Sequence, residues 1–388
     1  MKLIEKIKTE RLFFCGSMGT MLEPVLMQGE MPELINITNP AFIKKIHRAY
    51  IDAGANIIKT NTFGANRLKL ANVGFSVDVV VKAALGAAKD AAAGKAHVAM
   101  SVGSLGKMIQ PVGDMPLDEA AEIFAEAIVA GAKAGAEMIL IETMGDTCEI
   151  KAAMLAAKEN CNLPVAVTFT LDGQGKLFTG GDILTAVSLI EDMDADLIGL
   201  NCGFGVEQSL PQLRELFEHT NLPIIFNPNA GLPQLIEGKT VFNTTPTEFT
   251  GYMQQAAPYA AIMGGCCGTT PEYISEMIKS CSSAELQKKS PIERQIVSSY
   301  NKAVVLNECT VFGEPIKPTA SIQDDVLDSV DDGAEVIVLD INGYDADASD
   351  MLRSVQEVTN VPVAVIADEE IVNNRHYVGK LYNYRVGD

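Results

Sequence analysis

Leu197-Ile198-Gly199-Leu200-Asn201-Cys202 and Ala260-Ala261-Ile262-Met263-Gly264-Gly265-Cys266-Cys267 decide the fold of this chain. Each is an apolar run of strand length that ends on cysteine with glycine close by, the pattern of a buried strand running into a turn. Three thiolates at strand ends can make a three-sulfur zinc site with the fourth position left open, which a catalytic zinc needs and a structural zinc lacks. The plainer reading is three buried core cysteines, because free cysteine is commonly buried. That reading loses ground for the adjacent pair. Cys266 and Cys267 are flanked by Gly264, Gly265 and Gly268, and a glycine-rich turn is a poor place to pack a core.

Runs of the same kind at 12–15, 56–60, 97–102, 138–142, 164–169 and 223–227 join those at 196–201 and 260–264, so eight strands are expected. Between most of them the spacing turns helical. In 117–134, Ala120, Ile123, Phe124, Ala127 and Ile128 fall at i, i+3 and i+4. Eight strand–helix units are the ingredients of a (β/α)8 TIM barrel, and equally of a doubly wound open sheet. The cysteines favour the α/β barrel. There the ends of strands six and eight open onto one face, so Cys202 can meet Cys266 and Cys267; in an open sheet they would be neighbours only by chance. The barrel is expected over 1–285, and a charged linker with Lys288-Lys289-Ser290-Pro291 over 286–300. A short incomplete α/β segment follows over 301–388, with strands at 304–307, 335–340 and 363–367 and helices at 322–331 and 348–358.

The chain has 388 residues, of which 47% are hydrophobic, enough to bury a large core. Its net charge of −20 argues against a nucleic-acid partner, whose phosphates this surface would repel. No apolar run reaches membrane-span length, so no membrane partner is expected. Residues 1–11 alternate charged and apolar positions and read as a short amphipathic helix rather than a signal peptide. Eight cysteines in a chain this long, with no small-domain disulfide framework, suit a reducing, cytoplasmic location. The four histidines, His47, His97, His219 and His376, have no metal-ligand spacing to one another.

Longer motifs accompany the cysteines. Gly264-Gly265-Cys266-Cys267-Gly268-Thr269-Thr270-Pro271 is preceded by Ile46-His47-Arg48-Ala49-Tyr50, Ala53-Gly54-Ala55-Asn56-Ile57-Ile58 and Thr60-Asn61-Thr62-Phe63-Gly64-Ala65-Asn66. Glu142-Thr143, Thr179-Gly180-Gly181-Asp182 and Pro228-Asn229-Ala230-Gly231 lie between. Together they resemble the homocysteine S-methyltransferase family, and look more like the homocysteine-binding module of cobalamin-dependent methionine synthase than the betaine-dependent branch. The resemblance implies that Cys202, Cys266 and Cys267 bind Zn2+, and that homocysteine is the acceptor, methylated to methionine. Methyl transfer to a thiol needs the thiolate, and zinc removes that proton near neutral pH.

Glu142 ends the fourth strand, where a carboxylate is well placed to hold an ammonium; by resemblance it binds the substrate amine, and the lesser alternative is a cap for the next helix. Thr60, Asn61 and Thr62 end the second strand and offer polar groups to the same mouth, as does Asn229 after the seventh; turn roles suit them as well. The family's Asp-Gly-x-x-Gly-Thr pattern after strand one reads Cys15-Gly16-Ser17-Met18-Gly19-Thr20 here. Its aspartate helps bind the amine, and a neutral Cys15 thiol cannot. Either amine binding is weaker, another acid compensates, or the acceptor is not homocysteine. As a fourth metal ligand, Cys15 would close the site.

The last segment resembles the opening of a pterin-binding domain in Gly333-Ala334-Glu335-Val336, Asp340-Ile341-Asn342-Gly343, Asp345-Ala346-Asp347 and Val361-Pro362-Val363. Asn307-Glu308-Cys309-Thr310-Val311-Phe312 replaces that family's Gly-Glu-Arg-Ile-Asn-Pro opening, so folate binding is not expected. The segment is read instead as packing on the barrel or docking a partner. No cobalamin-binding Asp-x-His-x-x-Gly pattern occurs. Methylcobalamin is therefore expected only through an external corrinoid protein, with a free methyl compound as the other donor. The rival expectation is a non-catalytic or altered-substrate subunit of a corrinoid-dependent system.

Overall fold

The computed structural model describes residues 3–7, 9–27, 29–236, 239–344, 348–367 and 375–384. The first seven barrel strands are β1 (Leu12–Phe13), β2 (Ile57–Lys59), β3 (His97–Val102), β4 (Met138–Met144), β5 (Val165–Phe169), β6 (Leu197–Gly205) and β7 (Ile224–Asn229). An antiparallel hairpin, β8 (Pro233–Ile236) and β9 (Lys239–Phe242), separates them from the eighth, β10 (Ile262–Met263). The sheet order is β1-β10-β7-β6-β5-β4-β3-β2. Its two ends meet: the Cys15 N–H donates to the Ile57 carbonyl at 3.0 Å, and the Asn56 N–H to the Phe13 carbonyl at 3.0 Å. The sheet is thus a closed barrel rather than an open one, with helices between its strands.

Alternation along each strand sorts its side chains into two cores. Phe14, Ile57, Ala99, Leu140, Leu197 and Ile262 form one buried cluster inside the ring. Their neighbours Ile58, Met100, Ile141, Ile198 and Met263 face the helices in a second, larger cluster. Helix Leu117–Ala134 has the expected bounds and stops at Gly135, whose φ of 90° lets the chain leave the helix left-handed. The amphipathic helix expected over 1–11 is Leu3–Ile7, with residues 1, 2 and 8 outside the described residues. Its Leu3 and Ile7 join the inner cluster, so it plugs the barrel at the end where the strands begin.

The second segment departs from expectation at its start. β11 (Ile296–Ser298) lies in the stretch read as linker and pairs antiparallel with β12 (Ala303–Val305), which replaces the strand expected at 304–307. Val297 packs with Val336, Val338 and Ala364, and that burial outweighs the charged surroundings that made the stretch look like a linker. Beyond it, β13 (Ile337–Asp340), β14 (Val363–Ile366) and β15 (Tyr382–Asn383) form a parallel sheet. Its helices, Ile322–Asp331 and Ala348–Val358, have the expected bounds. Asp345-Ala346-Asp347 lies outside the described residues. The segment packs on the flank of the barrel: the Ser188 and Ser298 hydroxyls are 2.6 Å apart, and Lys151 donates to the Tyr377 carbonyl at 2.5 Å. Arg375 pairs with Asp118 at 2.8 Å and with Glu159. No helix among the described residues is long and apolar enough to cross a membrane.

One buried group makes the fold acid-sensitive. His47, on helix Pro40–Asp52, is fully buried, and neither ring nitrogen has a hydrogen-bond partner. Burial lowers its pKa from 6.5 to about 4. As pH falls, the unfolded chain therefore takes up this proton first. The stabilisation is present above pH ~6.5 and disappears between ~6.5 and ~4, about 3 kcal/mol in all. His47→Leu is expected to flatten this part of the stability–pH curve, read by urea unfolding at pH 7.5 and pH 5. An unchanged slope would mean that water reaches the ring.

Candidate active site at the barrel mouth

Cys202, Cys266 and Cys267 converge as the strand-end reading requires. Their sulfurs all lie within 4.8 Å of one another, and the Cys202 and Cys267 sulfurs are 3.9 Å apart. Sulfurs arranged tetrahedrally around zinc at 2.3 Å would stand about 3.8 Å apart, so the residues fit the metal. No fourth His, Cys, Asp or Glu joins the cluster among the described residues, and Cys15 is not part of it. The Cys202 thiol is held down to about 3 because its sulfur accepts hydrogen bonds from the thiols of Cys266 and Cys267. The same sharing pushes Cys266 up to about 11 and raises Cys267. A divalent cation held there would favour the thiolate form of all three.

Backbone irregularities aim these sulfurs. The β6–β7 register shifts between Asn201 and Gly205, a bulge that redirects the strand end. Within it Cys202 has a φ of 58°, a left-handed conformation that a non-glycine residue holds only when its surroundings enforce it. Asn229 supplies that constraint: its Oδ1 accepts from the Cys267 N–H at 3.1 Å, and its Nδ2 donates to the Gly203 carbonyl at 3.3 Å. It ties one cysteine loop to the other, a positioning role that the sequence left open. The Cys266 N–H donates to the Pro228 carbonyl at 2.8 Å. The buried Tyr50 hydroxyl lies 2.9 Å from the Ser17 carbonyl and 3.0 Å from the Thr269 carbonyl, pinning the β1 loop to the cysteine loop. Gly16 is where the two loops touch; a Cβ there would stand 2.7 Å from the Thr269 hydroxyl.

Continuing the inward rows toward the mouth changes their chemistry. Ile57 is followed two residues on by Lys59, Ala99 by Ser101, Leu140 by Glu142, Ala166 by Thr168 and Ile225 by Asn227, all of them buried. Glu142 is therefore placed as expected, but its carboxylate is occupied. Oε2 is 3.2 Å from the Lys59 ammonium, and Oε1 accepts from the Ser101 hydroxyl at 2.5 Å. Burial alone would lower the Lys59 pKa; the Glu142 carboxylate reverses this, so the group stays charged. Cys15 is neutral, its pKa raised by burial against the opposing pull of Lys59. Lys59 and Ser101 escaped the sequence reading. A lysine closing a buried strand directly after two isoleucines was the available signal.

Thr60, Asn61 and Thr62 are buried at the mouth with protein partners already in place. The Thr60 and Thr62 hydroxyls are 2.6 Å apart, Thr62 donates to the Ser101 carbonyl at 2.6 Å, and Asn61 donates to the Pro32 carbonyl at 2.7 Å. Thr143, next to Glu142, has a φ of 63° and is held by Asn201, which accepts from its N–H at 2.9 Å and donates to its hydroxyl at 2.7 Å. Asn201 in turn reaches the Cys266 sulfur at 4.0 Å, linking the polar layer to the thiols.

Known proteins resemble this chain. The methionine synthase of Mycobacterium leprae (strain TN) is 28% identical over 298 residues, covering 71% of this chain and 24% of that protein. The methionine synthase of Mycobacterium tuberculosis (strain ATCC 25618 / H37Rv) is 29% identical, covering 74% and 26%. The chain thus spans about a quarter of the length of these curated relatives. The metallated form of the homocysteine methyltransferase MmuM from Escherichia coli superimposes with a TM-score of 0.60 at 24% identity, covering 70% of this chain and 96% of that one. At that identity the likeness speaks for the fold. The model of the homocysteine S-methyltransferase family matches residues 12–281, from the first barrel strand to the end of the helix after the last. A match across the whole barrel, rather than to one motif, makes this chain a member of the homocysteine S-methyltransferase family.

Proposed function

We propose that this protein is a zinc-dependent S-methyltransferase that moves a methyl group onto a small thiol of the homocysteine kind, the donor being a separate methylated corrinoid protein. The observation that carries this reading is the cluster of three sulfurs with no fourth protein ligand among the described residues. Zinc held by Cys202, Cys266 and Cys267 would lower the pKa of an acceptor thiol at its open position, making the sulfur a nucleophile at neutral pH. The chain's own residues do the rest. Asn229 and Tyr50 hold the cysteine loops rigid, and the buried layer beneath them orients the acceptor. The acceptor sulfur forms the new bond to methyl carbon, the thiol proton leaves to solvent, and the donor keeps the electron pair of the broken bond.

A protein donor fits the rim. Phe178 is 83% exposed on the loop after β5, and Phe63, Val112 and Leu232 are exposed on the loops after β2, β3 and β7. Exposed apolar residues gathered on the loops around one mouth mark a surface that a partner covers. The docked segment 301–388 adds no donor site in this reading. Zinc-loaded protein incubated with homocysteine or a related small thiol and methylcobalamin is expected to form thioether, and methyltetrahydrofolate alone is expected to support none. Calorimetric titration of methyltetrahydrofolate should likewise give no heat. Failure of every corrinoid and free methyl donor with stoichiometric zinc bound would sink the assignment. An altered acceptor is the second reading, and the Lys59–Glu142 pair favours it.

A further inference from the structure

Glu142 is the one carboxylate in the buried layer beneath the thiol cluster, among the described residues, and Lys59 is the one cation. They are paired with each other at 3.2 Å, and Ser101 takes the second carboxylate oxygen at 2.5 Å. The layer is therefore closed in charge before any ligand enters. The Lys59 backbone N–H donates to the Cys15 sulfur at 3.3 Å, and the Cys15 carbonyl accepts from the Gly265 N–H at 3.4 Å, one residue before Cys266, so Lys59 sits beside the cysteine loop. An amino-acid thiol anchored by its sulfur would bring a second ammonium into that layer. There it would meet a buried cation, a carboxylate already filled, and the uncharged Cys15. A buried charge without a partner is strongly disfavoured.

We propose that Lys59 takes the place of the substrate's ammonium, so that the thiol methylated by this protein carries no amine. Its class is that of amine-free small thiols such as mercaptocarboxylates of the length of homocysteine. This rests on the proposed thiol methyltransferase reading. The other acids near the mouth serve the loops. Glu149 accepts from the Leu105 N–H at 2.6 Å, and Asp146 caps helix Thr147–Asn160 through the Cys148 N–H at 2.9 Å. Of these two acids, Asp146 keeps one buried oxygen, Oδ2, without a partner, and in the layer itself the Asn227 amide and the Thr168 hydroxyl are unpartnered too; as the one unpartnered acid of the pair, Asp146 is the residue through which the proposal would fail.

The test is calorimetric titration of the zinc-loaded full chain with homocysteine and with 4-mercaptobutyrate, which is homocysteine without its amine. The cobalt-substituted protein reports through its sulfur-to-metal charge-transfer band whether each thiol reaches the metal. 4-Mercaptobutyrate is expected to bind at least tenfold more tightly than homocysteine. Lys59→Met, which frees Glu142, is expected to shift that ratio at least tenfold toward homocysteine. Should the variant not fold, the wild-type ratio decides. Equal or tighter binding of homocysteine by the wild type overturns the proposal while leaving the thiol reading intact, and its loss in Asp146→Asn would identify the acid responsible. A wild-type preference that Lys59→Met leaves unmoved also overturns it. If neither thiol alters the cobalt spectrum, the acceptor site itself is misassigned and this inference falls with it.

Discussion

Alanine at Cys202, Cys266 or Cys267 is expected to take zinc content from one ion per chain to none after dialysis, and methyl transfer with it. In the proposed site each sulfur is one of three protein ligands among the described residues, so the loss should exceed the ten- to hundredfold fall in metal affinity that removal of a mere supporting partner brings, reaching on the order of a hundredfold or more. The barrel should survive. All three side chains are only half-buried, and they sit in the bulge of β6 and the turn after β10 rather than within either core cluster. Metal analysis paired with circular dichroism separates the two effects. Full zinc in any single variant would remove that sulfur from the ligand set, and unfolding of all three would make the cluster structural.

Glu142→Ala should be the most destabilising single change at the mouth. It leaves the Lys59 ammonium, whose side chain is 9% exposed, without its carboxylate. Breaking a buried pair from one side typically costs roughly 3–5 kcal/mol, because the remaining charge is uncompensated. Lys59→Met combined with Glu142→Ala removes both charges and should recover most of that loss, so the two sites are coupled rather than additive. Urea unfolding of the two single variants and the double variant gives the coupling directly. A loss below about 1 kcal/mol for Glu142→Ala would show the pair to be open to water.

The barrel and its thiols were legible in the sequence for a physical reason. Buried strands must be apolar, and sharp turns next to them need glycine, so Leu197–Gly205 and the Gly264–Gly268 turn announce both fold and site. The short β1 and β10 were readable too, though each is only two residues long. What the motifs hid was the layer inside the mouth. Lys59 follows the apolar pair Ile57-Ile58, and its significance depends on a partner 83 positions away on another strand. Asn229 was ambiguous because one amide can serve a turn or a ligand, and only the approach of Gly203 decides. In the second segment, Ile296–Ser298 is too short to announce itself, and its burial comes from residues beyond position 330.

The helix Leu3–Ile7 bears on the order of events in time. Leu3 and Ile7 pack under the inner cluster at the far end, so among the described residues the barrel is approached from the cysteine side. A reactant cannot slip in from behind while another covers the front. For a reaction between a small acceptor lodged in the buried layer and a protein-sized donor on the rim, the acceptor must enter first and its methylated form must leave last. Initial-rate plots for the two substrates should therefore intersect rather than run parallel, with the thiol as the leading substrate.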